Sequence, residues 1–195
     1  MISRPMQIAL VVLVLVAFGM GFYALQLKRK AEAVQQVADA RPVAPPSAGN
    51  TETVAAWIAS DETGTLTLRQ LKAQLPAAPA ERAREILRAT TDLYTQKDSP
   101  HPLGAGADIH AVYLLQDATA VVDLNGAFAD QHRSGIEVEQ LTMFSLVETL
   151  ATNMPEVRRV RFLVDGKERE TLAGHASLKT YYDVNTVAQL VKELQ

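Results

Sequence analysis

The chain has 195 residues, a net charge of −3 and no cysteine, which excludes a disulfide scaffold and thiol chemistry. Four of the 19 Lys and Arg residues lie in the first 30 positions, so the other 15 face 22 acidic residues, a net charge of −7. This acidic balance argues against a nucleic-acid partner, which needs a basic surface.

The N-terminal region predicts a membrane anchor. Residues 5–27 carry no charge, and residues 8–25 are all apolar or glycine. At about 1.5 Å per residue this run spans about 27 Å, close to the roughly 30 Å hydrocarbon core of a bilayer. The predicted organisation is a tail at 1–5, a transmembrane signal anchor at 6–27, a juxtamembrane helix with a Pro/Ala-rich linker at 28–50, and one domain at 51–195.

A cleavable signal peptide is the alternative to this anchor. Such peptides have an apolar region of about 7–15 residues and a small-residue cleavage site. Here Ala31 and Ala33 follow a basic cluster at 28–30, which favours an uncleaved anchor. Three basic residues follow the span, whereas Arg4 and the amino terminus precede it. The positive-inside rule read strictly places the domain in the cytoplasm, but so small a difference leaves the orientation open.

Behind the linker, alternating patterns predict two strands, at 53–60 and 65–68, separated by a turn. The segment 69–78 is ambiguous and could start helical. A clearer helix begins at Pro79, where the missing N–H group costs nothing. Proline and glycine then dominate residues 96–108, which predicts a loop.

The second half of the domain has clearer patterns. Two β-branched runs, 109–115 and 118–124, predict a hairpin. Ser134 and Glu137 have the spacing of a capping box before a helix that ends near Pro155. The apolar stripe of that helix comprises Met143, Leu146, Val147, Leu150 and Met154.

A strand at 157–164 follows, with Val160, Phe162 and Val164 on one face. Asp165 and Gly166 predict a turn into a further strand at 167–172, and residues 181–195 predict a loop or short strand and a last helix. The element order predicts an α+β fold, an open sheet of hairpin-paired strands with helices packed on one face, preceded by the single transmembrane helix.

The second half also resembles a known family, the GerMN domain of sporulation and germination proteins. Residues 121–128, VVDLNGAF, are similar to its VDLS-x-x-F segment, and residues 154–160 are similar to its fP-x-V-x-x-V junction. The resemblance covers about residues 54–183 and is strongest at 121–174. The residues that carry its signature are Val122, Asp123, Leu124, Phe128, Asp165 and Gly166.

The resemblance implies a non-catalytic interaction domain at the outer face of the bacterial cytoplasmic membrane, with no cofactor. Its partner would be an envelope protein or peptidoglycan. Similarity to ring-forming modules keeps a homo-oligomeric scaffold open as the second hypothesis, and a cell-wall enzyme is the third. We adopt the extracytoplasmic side on this basis, against the weak charge bias.

Candidate chemistry is weak throughout. Asp123 could act as a general acid, but no partner acid is identifiable, and we expect it to end a strand and accept hydrogen bonds from the turn at 125–126. Ser134 lacks the elbow of a serine nucleophile, and the glycines at 104–106 lack the lysine of a phosphate loop. No metal-ligand spacing relates the four histidines, which we expect in loops or on the surface. They are His101, His110, His132 and His175.

One basic cluster stands out in the acidic domain, formed by Arg158, Arg159 and Arg161. Arg159 and Arg161 share the strand face opposite Val160 and Phe162. A solvated strand face is the simpler interpretation. A patch that contacts an acidic partner is the functional one.

Overall fold

The computed structural model describes residues 49–194, an α+β arrangement of two sheets and four helices. The strands are β1 Asn50–Ser60, β2 Thr65–Leu75, β3 Ile109–Leu114, β4 Thr119–Leu124, β5 Arg159–Val164 and β6 Tyr182–Asp183. The helices are α1 Pro79–Tyr94, α2 Gly126–Asp130, α3 Ile136–Asn153 and α4 Val184–Lys192. The predicted transmembrane helix at 6–27 and nearly all of the linker at 28–50 lie outside the described residues. None of the helices within 49–194 is long and apolar enough to cross a bilayer.

The first sheet is a long hairpin. β1 pairs antiparallel with β2 over eleven residue pairs, from Asn50 opposite Leu75 to Ser60 opposite Thr65. The prediction that residues 69–78 could start helical is therefore wrong. β1 supplies a hydrogen-bonding partner along its whole length, so the second strand continues to Leu75 instead of ending at residue 68.

The second sheet has the strand order β3-β4-β5-β6. β3 and β4 form the predicted hairpin, but β4 and β5 are parallel, and the short β6 adds antiparallel to the start of β5. The parallel pair requires a long crossover, which α2 and α3 supply. The prediction of one open sheet built from hairpins is therefore wrong, because the first hairpin forms a sheet of its own.

Side chains of α3 explain why the sheets stay separate. Asn153 accepts from the Ala55 N–H group at 3.1 Å and donates to the Ala55 carbonyl at 2.7 Å. Thr149 accepts from the Trp57 N–H group at 2.8 Å, and Ser145 donates to the Trp57 carbonyl at 2.6 Å. These bonds occupy the edge of β1 that β2 leaves open, so another strand cannot pair there.

The helix α3 is buried on more than one side. Its predicted apolar stripe is confirmed, since every member is buried, and the helix ends at Asn153, two residues before Pro155. Beside that stripe runs a second row at spacings of three and four residues, which we call the polar stripe. It consists of Glu139, Thr142, Ser145, Thr149 and Asn153.

The chain departs from prediction after β5. The turn at Asp165 and Gly166 is confirmed, with φ angles of 51° and 72° and reciprocal backbone bonds between Val164 and Lys167 of 2.9 and 3.0 Å. The predicted strand at 167–172 is wrong, because this segment leaves the sheet as a loop. That loop is held by Glu139 of the polar stripe, as described below.

The predicted capping box at Ser134 and Glu137 is also wrong. Gly135 is the N-cap of α3, and no side chain caps it from that position. Instead, the carboxylate of Glu139 accepts from the Gly135 N–H group at 3.2 Å. The helix therefore starts one residue later than the spacing predicts.

Candidate interaction surface

The family-signature residues join the ends of the two parallel strands. The Asp165 N–H group donates to the Leu124 carbonyl at 2.9 Å, and the Gly166 N–H group donates to Asp123 Oδ1 at 2.7 Å. Asp123 thus ends a strand and anchors a turn, as expected, but the predicted turn was the wrong one. The turn at 165–166 is some forty residues away in sequence, and only the parallel pairing of β4 with β5 brings it close.

The other signature residues belong to the core. Val122, Leu124 and Phe128 are fully buried, and Asn125 caps α2 by accepting from the Phe128 N–H group at 2.9 Å. These three signature residues therefore build the fold and expose no apolar group for a ligand.

Ser134, His175 and Glu139 come together in the structure, which sequence reasoning missed. The arrangement is not a catalytic triad. Ser134 Oγ lies 3.4 Å and Glu139 Oε1 lies 2.9 Å from the same ring nitrogen, His175 Nδ1. A triad needs the serine and the acid on opposite nitrogens of the imidazole.

The buried carboxylate of Glu139 has a different role, which is to accept hydrogen bonds from several backbone N–H groups. Its Oε2 atom accepts from Ala173, His175 and Ala176 at 3.0, 2.9 and 2.8 Å. Burial raises the pKa of this carboxyl, but the hydrogen bonds from His175 and the backbone outweigh burial and bring the pKa down to about 2. Glu139 is therefore an anionic anchor for the loop that follows β5.

Two of the four histidines are more buried than loop residues usually are. His101 and His132 both lie in loops, as one of the two expected placements has it, but His101 is fully buried and His132 is 7% exposed, so neither is a surface histidine. Their rings are held by hydrogen bonds, and both Nε2 atoms contact Thr142 of the polar stripe at 2.6 and 2.7 Å. Within residues 49–194, no group of three His, Asp or Glu side chains could hold a metal ion.

The arginine cluster lies at β5 and is partly ordered by neighbours. Arg159 pairs with Asp117 at 2.8 Å, and Arg161 pairs with Glu168 at 2.6 Å. Both guanidinium groups also lie over the ring of Tyr181, at 5.3 and 5.6 Å from its centroid. These contacts hold the two cations in one place on the sheet.

Exposed aromatic and aliphatic side chains extend this cluster across the sheet. Tyr113 lies opposite Val121, and Val121 lies beside Arg161, so the three form one row over β3, β4 and β5. Tyr113, Leu115 and Tyr181 are 53%, 50% and 49% exposed. We call this the Tyr–Arg surface. It consists of Tyr113, Leu115, Arg159, Arg161 and Tyr181. Arg158, the third arginine of the predicted cluster, is exposed but precedes β5 and is not part of this surface.

The opposite face of the same sheet is core, because Val160 and Phe162 are fully buried and Val164 nearly so. Sequence reasoning found the arginines by their charge. It missed the tyrosines, which lie on other elements and join the arginines only through strand pairing.

A family model agrees with the family resemblance seen in the sequence. The model Germane, described as sporulation and spore germination, matches residues 30–170. No curated protein matches the chain.

The solved structures that are similar to the domain include the following three. The tandem GerMN domains of the sporulation protein GerM from Bacillus subtilis are 19% identical, with a TM-score of 0.49 over 66% of this chain and 44% of that one. The first GerMN domain of the same protein is 18% identical, with a TM-score of 0.45 over 66% of this chain and 92% of that one. A Clostridium perfringens protein named provisionally as a lipoprotein is 16% identical, with a TM-score of 0.45 over 73% of this chain and 93% of that one. At these identities and TM-scores the likenesses carry no functional conclusion.

Proposed function

This chain belongs to the sporulation and spore germination family, and from that premise we propose that its domain is a non-catalytic interaction module of the bacterial cell envelope. A single N-terminal helix at 6–27 tethers the module to the cytoplasmic membrane, and the domain faces outward. The uncharged run at 5–27 supports the tether. The outward orientation rests on the family, since the flanking charges leave it open.

The Tyr–Arg surface is the observation that carries this proposal. Tyrosine and arginine are enriched where protein interfaces concentrate their binding energy, because each combines a large contact area with directed polar groups. Here two half-exposed tyrosines and two arginines share one face of a sheet. The ion pairs of Arg159 and Arg161 involve exposed acids, Asp117 and Glu168, and such pairs are weak enough to be exchanged for a partner's carboxylates.

We commit to an acidic segment of another envelope protein as the partner. The cations favour carboxylates, and the ring of Tyr181 fixes two guanidinium groups in a geometry that a row of carboxylates could meet. The opposite sheet face is buried, so this face is where the second sheet can bind a partner.

Site-specific photo-crosslinking in the source bacterium tests the surface. A photoreactive aromatic residue replaces Tyr113 in the full chain, and the matched control carries it at Leu68 of β2, which is 49% exposed. We expect a discrete protein adduct from the Tyr113 position and none from the Leu68 position. Adducts of a second copy would instead favour the scaffold hypothesis, and adducts of peptidoglycan would identify that polymer as the partner. Equal labelling from both positions, or none from Tyr113, would contradict the proposed surface.

Charge reversal tests the acidic partner. Arg159→Glu with Arg161→Glu should abolish the Tyr113 adduct, whereas Arg69→Glu, an exposed arginine of β2, should leave it intact. Retention of the adduct in the double variant would rule out recognition through the arginines.

A reporter fused after Gln195 tests the sidedness separately. An enzyme that is active only in the cytoplasm should stay inactive there, and one that is active only outside should work. The reverse pattern would contradict the outward orientation, but it would not contradict the proposed role of the Tyr–Arg surface.

A further inference from the structure

Four buried or half-buried side chains form a continuous hydrogen-bonded series, which we call the histidine chain: Asp61, His101, Thr142 and His132. His101 Nδ1 lies 2.5 Å from Asp61 Oδ1. His101 Nε2 and His132 Nε2 lie 2.6 and 2.7 Å from one atom, Thr142 Oγ1. At the far end, His132 Nδ1 lies 2.7 Å from the Arg133 carbonyl oxygen.

With their ordinary charges, these groups cannot match a donor to an acceptor at every contact of the histidine chain. An ionised carboxylate and a carbonyl only accept, so both Nδ1 atoms must carry a proton. In two neutral imidazoles both Nε2 atoms are then bare acceptors. The Thr142 hydroxyl has a single proton and also lies 3.0 Å from the Val138 carbonyl, so it can satisfy at most one of the two Nε2 atoms. The other Nε2 faces an oxygen lone pair at 2.6 or 2.7 Å, which is repulsive.

One additional proton removes the conflict. It resides on His101 or is shared with Asp61 across the 2.5 Å contact. His101 then donates from Nε2 to Thr142, the Thr142 hydroxyl donates to His132 Nε2, and His132 donates from Nδ1 to the carbonyl. Each contact in the series now joins one donor to one acceptor, and the Thr142 hydroxyl donates to His132 in place of the Val138 carbonyl at 3.0 Å. The mirror arrangement, with the added proton on His132 Nε2 and the Thr142 hydroxyl donating to His101 Nε2, satisfies the series with the same single proton.

We infer that the histidine chain is a proton-binding site, which holds one proton beyond the ordinary charges of an aspartate and two neutral histidines. The proton is not tied to one residue, because the four groups are linked and titrate together. The site is distinct from the proposed function, because none of its four residues belongs to the Tyr–Arg surface and none of their hydrogen bonds above involves one that does.

Some of the groups around the histidine chain favour the added proton, and others oppose it. Burial lowers the pKa of His101 to about 4 and also lowers the pKa of His132. The carboxylate of Asp61 favours a proton on His101, and the carboxylate of Glu139 favours one on His132. Arg133 pairs with Asp61 and opposes the proton. The proton is therefore held because the hydrogen bonds that it completes stabilise it more than the burial of the two rings disfavours it.

Aromatic rings complete the surroundings. The Tyr94 ring packs edge-on against His101, with centroids 4.8 Å apart, and Phe128 stacks on His132 at 6.4 Å. Burial raises the pKa of Tyr94 to about 12, so its phenol stays uncharged. These rings exclude water and so strengthen the dependence of each imidazole on its partners in the chain.

The bound proton fastens separate parts of the domain together. Asp61 lies in the turn between β1 and β2, His101 in the loop before β3, His132 between α2 and α3, and Thr142 on α3. Loss of the proton breaks one contact in this series and loosens the tip of the first hairpin from α3. The site thus couples the pH of the medium to how firmly the tip of the first hairpin is attached to α3.

Nitrogen-15 spectra of histidine rings and carbon-13 spectra of aspartate carboxyls, recorded on the full chain between about pH 5 and 8, test this inference, because they distinguish protonated from unprotonated groups. We expect three N–H groups on the rings of His101 and His132, or a His101 protonated at Nε2 beside a carboxyl carbon signal of protonated Asp61. His110 serves as an internal reference outside the series. Only two ring N–H groups with an ionised Asp61 across the whole range would overturn the inference.

Thr142 substitutions separate the hydrogen bonds from burial. Thr142→Val removes the hydroxyl and keeps the burial, so the proton affinity of both histidines should fall at least tenfold, about one pKa unit. Thr142→Ser keeps a hydroxyl and should restore the wild-type affinity. A folded Thr142→Val protein with unchanged affinity would overturn the role of the bridge. If that variant does not fold, the wild-type spectra still decide.

Discussion

The two halves of the polar stripe on α3 hold their neighbours by different chemistry. In the N-terminal half, Glu139 is an ionised anchor and Thr142 bridges two titratable rings. In the C-terminal half, Ser145, Thr149 and Asn153 bind β1 with neutral groups alone. One helix face therefore contains a pH-sensitive half and a pH-insensitive half.

The backbone that each half meets accounts for the difference. A strand edge presents N–H and C=O groups together, so a side chain with both functions, such as Asn153, satisfies it without charge. The loop at 173–176 turns several N–H groups towards one point, which only an anion can satisfy. Stability should consequently depend on pH through the first half and not through the second.

The largest expected effect is from Glu139→Ala. This change leaves buried N–H groups of the loop without an acceptor, and we expect the free energy of unfolding to fall by about 3–5 kcal/mol in denaturant titrations. Glu137→Ala, an exposed glutamate on the same turn, is the control and should cost less than about 0.5 kcal/mol. Similar losses in both variants would show that the loop anchor is unimportant.

Acid should weaken the wild-type domain through the same carboxyl. Its pKa is about 2 in the folded protein against an ordinary value of 4.5, so the stabilisation is complete above about pH 4.5 and is lost as the pH falls towards 2. The loss from Glu139 is about 3 kcal/mol. Unfolding measured over this range should show a flatter pH dependence in Glu139→Gln than in wild type. Parallel curves for the two proteins would contradict the assignment.

A smaller effect is expected from Asn153→Ala in the neutral half. The variant loses both hydrogen bonds to Ala55 and should destabilise the domain by about 2 kcal/mol. The loss should be the same at every pH at which the protein folds, because no charge is involved. Gln140→Ala, exposed on the same helix, is the matched control. A loss that changed with pH would break the distinction between the two halves.

The smallest effect is expected from Thr152→Val, beside the polar stripe. Its hydroxyl accepts from the Trp57 indole N–H group at 3.0 Å, but this bond is exposed to solvent. Water can replace the lost partner, so we expect a change below about 1 kcal/mol in the same unfolding titration. A loss of unfolding free energy as large as that of Asn153→Ala would show that the side-chain bond of Trp57, and not only the backbone contacts, holds the edge of β1 against α3.

Much of the second half of the domain was predictable from sequence. The hairpin of β3 and β4, the apolar stripe of α3, the alternation of β5 and the turn at 165–166 all follow from local period and turn chemistry. Those patterns are local because each records which face of one element is buried. The arginine cluster was found for a similar reason, since charge stands out in an acidic domain.

Several failed predictions involve contacts made by the polar stripe, which join segments far apart in sequence. The predicted strand at 167–172 has a suitable sequence, but Glu139 draws the following backbone away from the sheet. The polar stripe was overlooked because polar residues on a helix usually face water. Its spacing was nevertheless visible in the sequence, and it was the signal that could have located the edge of β1.

The sequence by itself determined the family, the types of most elements and the presence of an uncharged N-terminal run long enough to span a bilayer. Tertiary structure alone decided that the strands divide into two sheets, that two histidines are buried around one threonine, and that tyrosines from other elements join the arginines. The reason is that period and turn chemistry are properties of neighbouring residues. Hydrogen bonds such as Asn153 to Ala55, or Gly166 to Asp123, join residues that only the folded chain brings within 3 Å or so of each other.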